Sequence, residues 1–387
     1  MFFFDFGASI YFFFFNLFLS GHGYTESQLG VSTSTMAAGN LAGALPAGRL
    51  VQRWGLRNAL ITCTIAGPAV LCARALSPAF PFQVGLAFLT GLALCLWAVC
   101  IAPTIAAITP ESERPLAFSL VFSLGIGMGA AGALAGSRMP AWFAHAAELS
   151  GGLAPDQLTL IAACVIAALA VIPAMGLRTQ RTVVAPRAGA LFSPAVRRVL
   201  PAVAIWGLVA GSFSPFANVF LAVHLRLPLR SVGTVFSISQ LCQVAAVLCA
   251  PLVLRRAGVS NGVFTMQIAV ASCFMLLALT SHPVTASITY VALTAAQYMG
   301  EPGIYSLMMN IVPEEARGQA SASMALVLGA AQLIAGACAG WTFTNFGYPV
   351  AFGIIALIAL CAGFLFKTAA HARSHALVPI GSQSPAD

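Results

Sequence analysis

Apolar residues along this chain do not alternate with polar ones. They run in long blocks, separated by short stretches where Arg, Pro, Gly and Ser gather. A helix needs about 20 mainly apolar residues to cross a bilayer. Twelve blocks fit that length: 1–21, 28–50, 58–76, 83–108, 116–137 and 157–177, then 199–222, 231–254, 261–280, 285–311, 319–343 and 349–367. The predicted fold class is an all-α integral membrane protein of twelve transmembrane helices. Segment 178–198 carries five arginines and two prolines and reads as a cytoplasmic central loop. Segment 368–387 reads as a disordered C-terminal tail. The expected organisation is a six-helix half over 1–177, the loop, a second six-helix half over 199–367, and the tail.

Composition supports lipid as the main solvent. The 387 residues are 59% hydrophobic and 7% charged, against about 25% charged in a soluble domain. The net charge of +8 does not indicate nucleic acid. The arginines sit in short segments between apolar runs and form no basic stripe with aromatic platforms. With the N-terminus in the cytoplasm, fourteen Lys and Arg fall inside and four (Arg74, Arg138, Arg226 and Arg230) fall near outer helix ends. That asymmetry predicts both termini inside, in a bacterial inner membrane. The start Met1-Phe2-Phe3-Phe4-Asp5 lacks the basic region of a signal peptide, so the first block is expected to be retained. Ten cysteines lie within apolar runs with no C-x-x-C pair. Neither a metal nor a cofactor is expected.

The chain repeats itself. Shifted by 202 or 203 residues, Asn16-Leu17-Phe18-Leu19 falls on Asn218-Val219-Phe220-Leu221, His22 on His224, Gly30 on Gly233, and Asn40 on Gln243. Pro110-Glu111 and Arg114 fall on Pro313-Glu314 and Arg317. Register kept over some 200 residues implies two halves related by a pseudo-twofold axis along the membrane normal. In that arrangement substrate binds near the midplane, between the halves.

The segment Gly48-Arg49-Leu50-Val51-Gln52-Arg53-Trp54-Gly55-Leu56-Arg57 resembles the major facilitator signature between helices two and three. It keeps both glycines, the leucine and two basic residues, and departs at the acidic position, where Gln52 stands. With the spans and the repeat, the resemblance covers nearly the whole chain and implies the major facilitator (MFS) fold. In the family the acid locks the halves through charge contacts, which an uncharged Gln52 does not provide. Gly48 and Gly55 are expected to permit a tight turn. Arg53 and Arg57 read either as topology determinants or as a conformational latch. Glu111 with Arg114, and Glu314 with Arg317, are candidate contacts between the halves at the cytoplasmic face.

Ionisable groups in a span are functional candidates by default. Glu301 lies twelve residues before Pro313, about 18 Å along a helix and so close to the midplane. Gln297, Glu301 and Tyr305 share one face of span ten, which in the family lines the cavity. Glu301 reads as a proton-coupling carboxylate, a substrate ligand, or a structural carboxylate beside Gly300 and Pro302. Asp5 is the second intramembrane acid. Asn16 and Asn218 are symmetry mates on spans one and seven, the other cavity-lining pair by family analogy. Gln240 and Gln243 on span eight and Asn40 on span two are further polar candidates, either for substrate or for bonding helix to helix. No cation is expected at cavity depth, so a neutral or cationic solute is favoured over an anion.

The resemblance implies a secondary active transporter working by alternating access, coupled to protons, with uptake and efflux both open. Its partners would be a small-molecule substrate, protons and the lipid bilayer, without nucleic acid, and one chain would suffice. The alternative is a membrane sensor or assembly protein on the same fold. An enzyme is not expected, since the six histidines are dispersed and no nucleophile–base pair appears.

Overall fold

The computed structural model describes residues 1–110, 112–149, 153–177, 194–312 and 317–376. Among them every regular element is a helix. The first half holds span one (Phe2–Gly21), span two (Glu26–Trp54), span three (Leu56–Leu76), span four (Phe80–Ile108), span five (Arg114–Gly136) and span six (Pro155–Met175). A short helix, Met139–Leu149, joins spans five and six. The second half holds span seven (Val199–His224), span eight (Leu229–Ala257), span nine (Val259–Leu279) and span ten (Pro283–Ile311). Spans eleven and twelve run together as Arg317–Ala376, broken at Gly347, whose φ of +76° is left-handed.

Nine of these described helices are apolar and long enough to cross a membrane, counting the Gly347-broken pair once. Spans two and ten complete the twelve. Each is 29 residues long, but each carries polar residues among its apolar ones, Ser32 and Ser34 in span two and Gln297 and Glu301 in span ten. Large apolar side chains point outward from the spans: Phe82, Leu279, Ile288 and Leu357 are each more than 60% exposed. The packed core follows spans one and seven, where Tyr11, Phe18, Trp206, Phe216 and Phe220 are sealed. The last helix continues past the expected end at 367 to Ala376. Of the expected central loop, 178–193 lies outside the described residues, as does 377–387 of the expected tail.

The repeat reaches the turns. Gly55 and Gly258, 203 residues apart, both adopt left-handed φ, +83° and +77°, where spans two and eight end and the next span begins. The turn after span one needs the same conformation, supplied by Gly23 at φ +84°. Its mate after span seven is Arg226 at φ +54°, the one non-glycine residue with positive φ among those described. Gly48 does not serve a turn. It lies inside span two with open space where a Cβ would sit.

One irregularity was not legible in the apolar pattern. Span seven is regular only to Phe213, then passes through a 3-10 turn at Ser214–Phe216 and a π-turn at Phe220–His224. Pro215 lacks an N–H and breaks the helical ladder there. Discontinuous helices of this kind mark binding regions in transporters.

Candidate functional site

The two halves close on each other at the end carrying the 22–25 turn, through contacts that obey the repeat. Asn16 Nδ2 donates to the Pro215 carbonyl, and Asn218 Nδ2 donates to the Phe13 carbonyl, each at 2.6 Å. Donors and acceptors are both 202 residues apart. Ser34 Oγ donates to the Leu333 carbonyl, and Ser237 Oγ to the Ala130 carbonyl at 2.7 Å. Here both offsets are 203. The first pair ties span one to span seven. The second ties span two to span eleven and span five to span eight. Glycines bring these helices close: a Cβ on Gly30 would run into the Gly336 carbonyl and the Gly340 Cα, and one on Gly233 would strike Ser137. Tyr348 donates to Glu26 and the Ser27 amide to Thr344 at the same end.

Below this seal lies a cavity of 830 Å³. It reaches from Ser32, Arg74 and Asn16 under the closed end to Asp5, Trp97 and Phe118 toward the 48–57 segment. A second cavity of 270 Å³ opens beside it within the second half, and shares Ser214, Phe236 and Gln240 with the first. Its wall carries Gln243, Gln297, Glu301 and Gln332. Trp206 Nε1 donates to Glu301 Oε1 at 3.2 Å. In the first half Asp5 and Trp97 both line the large cavity, and Trp97 stacks on Phe4 with centroids 4.0 Å apart. The two acid–tryptophan pairs occupy matching helices with their roles exchanged. The acid sits on span one and the tryptophan on span four in one half. The tryptophan sits on span seven and the acid on span ten in the other.

Most of the polar candidates therefore meet. Asp5, Asn16, Asn218 and Gln240 line the large cavity; Gln240, Gln243, Gln297 and Glu301 line the small one. Tyr305 is 45% exposed, and Asn40 is also exposed; neither lines either cavity. Span ten turns Tyr305 away because the helix repeats every 3.6 residues, so i+8 drifts off the face that i and i+4 share. The amides of Asn16 and Asn218 are spent on backbone carbonyls across the interface.

The expectation that no cation reaches the cavity is corrected. Arg74 lies in the last turn of span three, only 3% exposed, and lines the large cavity. Proximity to a helix end in sequence hid its burial, because the side chain points back along the helix. The argument against an anionic solute falls with it. Ser32, Gln83 and Trp206 were likewise not singled out from the sequence.

Of the loop residues, Arg57 donates through Nε and Nη2 to the Met175 carbonyl, at 3.1 and 2.9 Å, fastening the segment to the end of span six in its own half. Gln52 and Arg53 are exposed. Arg114 donates to the Ala106 carbonyl near the end of span four, at 3.3 Å. Glu111 and Glu314 lie outside the described residues, as does the side chain of Arg317.

Comparison with known families bears directly on this arrangement. The Major Facilitator Superfamily profile matches residues 1–293 and 199–383. The chain belongs to the Major Facilitator Superfamily. Its fold is found in solved structures at low identity, a likeness of fold alone. The nucleoside transporter NupG matches at TM-score 0.73 and 15% identity, over 95% of this chain and 98% of that one. A bacterial homologue of the human lysosomal transporter Spinster, inward-facing and unoccupied, matches at TM-score 0.76 and 12% identity, over 98% and 96%. A D-xylose-proton symporter matches at TM-score 0.68 and 16% identity, over 94% of each. The comparison with curated proteins finds no match. In this major facilitator chain, then, the cavity between the halves occupies the interface that the repeat predicts.

Proposed function

We propose that this chain is a secondary active transporter that carries a small solute across the membrane by alternating access, coupled to protons through Glu301. One observation carries the reading: a cavity between the halves, sealed at one end by two symmetric pairs of hydrogen bonds, with a carboxylate in the wall of its side chamber. Breaking a symmetric seal at one end while the halves approach at the other is a rocking motion about the cavity. With the 48–57 segment cytoplasmic, the state is inward-facing.

Glu301 supports coupling on electrostatic grounds. Enclosing an ionised carboxylate away from water is costly unless it is neutralised. Closure around the cavity is then favoured when Glu301 holds a proton or faces a cationic group. A proton taken up on one side and released on the other drives solute movement.

Reconstitution into liposomes tests this. The panel would include a nucleoside and D-xylose, named for two structural neighbours, together with lactate and quinate. An imposed pH gradient should drive accumulation of at least one member. Glu301→Gln should keep exchange of labelled for unlabelled solute and lose gradient-driven accumulation. Full accumulation by Glu301→Gln rejects the coupling role. No movement of any panel member by the wild type counts against transport of these solute classes.

A further inference from the structure

Arg74 has no part in the reading above, yet its surroundings are built to hold it. Its Nε donates to Gln83 Oε1 at 3.0 Å, its Nη2 donates to Ser32 Oγ at 2.7 Å, and its Cζ sits 4.3 Å from the centroid of the Phe15 ring. Gln83 is fully buried, and its Nε2 donates to the carbonyls of Arg74 and Ser77, at 2.6 and 2.9 Å. The guanidinium is thus clamped on an edge, a corner and a face. These bonds use two of its five N–H donors. The other three have no acceptor among the described residues, and no Asp or Glu pairs with the charge. A buried arginine without a counter-ion is costly inside a membrane protein. Capping the end of span three does not explain it, because the guanidinium bonds the side chains of Gln83 and Ser32 and not the carbonyls there.

We propose that Arg74 is the carboxylate-binding subsite of the solute this protein moves, an inference that rests on the transporter reading. A clamped planar fork with free N–H groups matches a carboxylate in shape. A single positive charge balances a monoanion and would leave a phosphate dianion uncompensated beside the apolar walls of Phe12, Phe15 and Met36. The position 203 residues on is Leu277, which is buried, so the second half has no equivalent charge. A solute anchored on Arg74 therefore binds in one orientation, its carboxylate toward the closed end. Asp5 lies ten residues down span one from Phe15, about 15 Å away along the helix, so the rest of the solute extends toward that end of the cavity.

Binding to the purified full chain tests the subsite. Lactate, quinate and benzoate would be titrated by calorimetry, each beside its neutral primary amide, with inorganic phosphate as a further probe. At least one carboxylate should bind at least tenfold more tightly than its amide. Arg74→Gln should abolish that tenfold preference. Arg74→Lys should retain part of it. Ser32→Ala, which keeps the charge and frees the fork, should weaken the carboxylate several-fold and carries the test if Arg74→Gln does not fold.

The subsite is overturned if no carboxylate binds, if phosphate binds more tightly than every carboxylate, or if Arg74→Gln keeps the wild-type preference. A neutral solute transported equally by wild type and Arg74→Gln would also overturn it, while the transporter reading stands. The converse failure, with carboxylate binding dependent on Arg74 but no solute crossing the liposome membrane, would uphold a carboxylate site at Arg74 and count against transport of these solute classes.

Discussion

Removing the two asparagine amides at the closed end should open that end by a calculable amount. Asn16 and Asn218 each make one bond across the interface. A hydrogen bond of this kind is worth about 1 kcal/mol net. If the bonds exist only in the state closed at this end, Asn16→Ala should raise the open-to-closed ratio roughly fivefold, and the double substitution roughly thirtyfold if the effects add. A population that is about 1% open would become about 23% open. Asn218 Oδ1 also accepts the Val219 N–H at 2.9 Å. That bond is local to span seven, so its loss weakens both states alike and cancels from the ratio. The two single substitutions should therefore match within about a factor of two by this bond energy. Spin labels on cysteines introduced at Gly21 and Arg230, on opposite halves of the closed end, report the fraction open. The background would replace the exposed Cys249, Cys338 and Cys361 by serine. An unchanged distance distribution in the double variant would refute the reasoning. So would singles that differ more than about fivefold, because they would break the symmetry from which the magnitude was worked.

Two further substitutions probe the same architecture. Gly30→Ala improves intrinsic helix propensity by about 1 kcal/mol, yet its Cβ would meet the backbone of Gly336 and Gly340; the label distances should lengthen although span two stays helical, and shortened or unchanged distances would count against the close approach. Arg226→Gly relieves a left-handed arginine and should stabilise the protein by about 1 kcal/mol, read as a higher melting temperature, while a lower one would mean that the arginine side chain is worth more than its backbone strain.

The twelve spans and the two-half organisation were legible because lipid imposes a coarse and repeated demand: about 20 apolar residues, then a break. The repeat was legible for the same reason that it is structural. Asn16 and Asn218 recur because each bonds the other's helix, and Gly55 recurs with Gly258 because both turns need left-handed φ. Side-chain direction was not legible. Gln297 and Glu301 face the cavity and Tyr305 does not, since a spacing rule specifies neighbours on a helix but not where a face ends. Arg74 was misread for the opposite reason. Its place near a helix end gave no hint that Gln83, nine residues away, would hold it buried. The irregular stretch of span seven was hidden because an apolar run containing Pro215 reads the same whether the helix kinks or unwinds.

The places where the repeat holds and where it fails divide the labour of the molecule. The groups kept at an offset of 202 or 203 make contacts between the halves or shape the turns: the asparagine amides, the two serines and the paired glycines. Rocking about a pseudo-twofold axis requires both halves to form and break equivalent contacts, so symmetry there is what the motion needs. The charged groups in the cavities break the rule. Leu277 stands in the second half where Arg74 stands in the first, and the acid and tryptophan Asp5 and Trp97 exchange helices in Glu301 and Trp206. A solute with distinguishable ends has no twofold axis of its own, and a site that orients it must lose the symmetry of the scaffold. The asymmetric residues are therefore the ones whose substitution should change what is carried and how it is coupled, while substitution of the symmetric ones should change how readily the halves move.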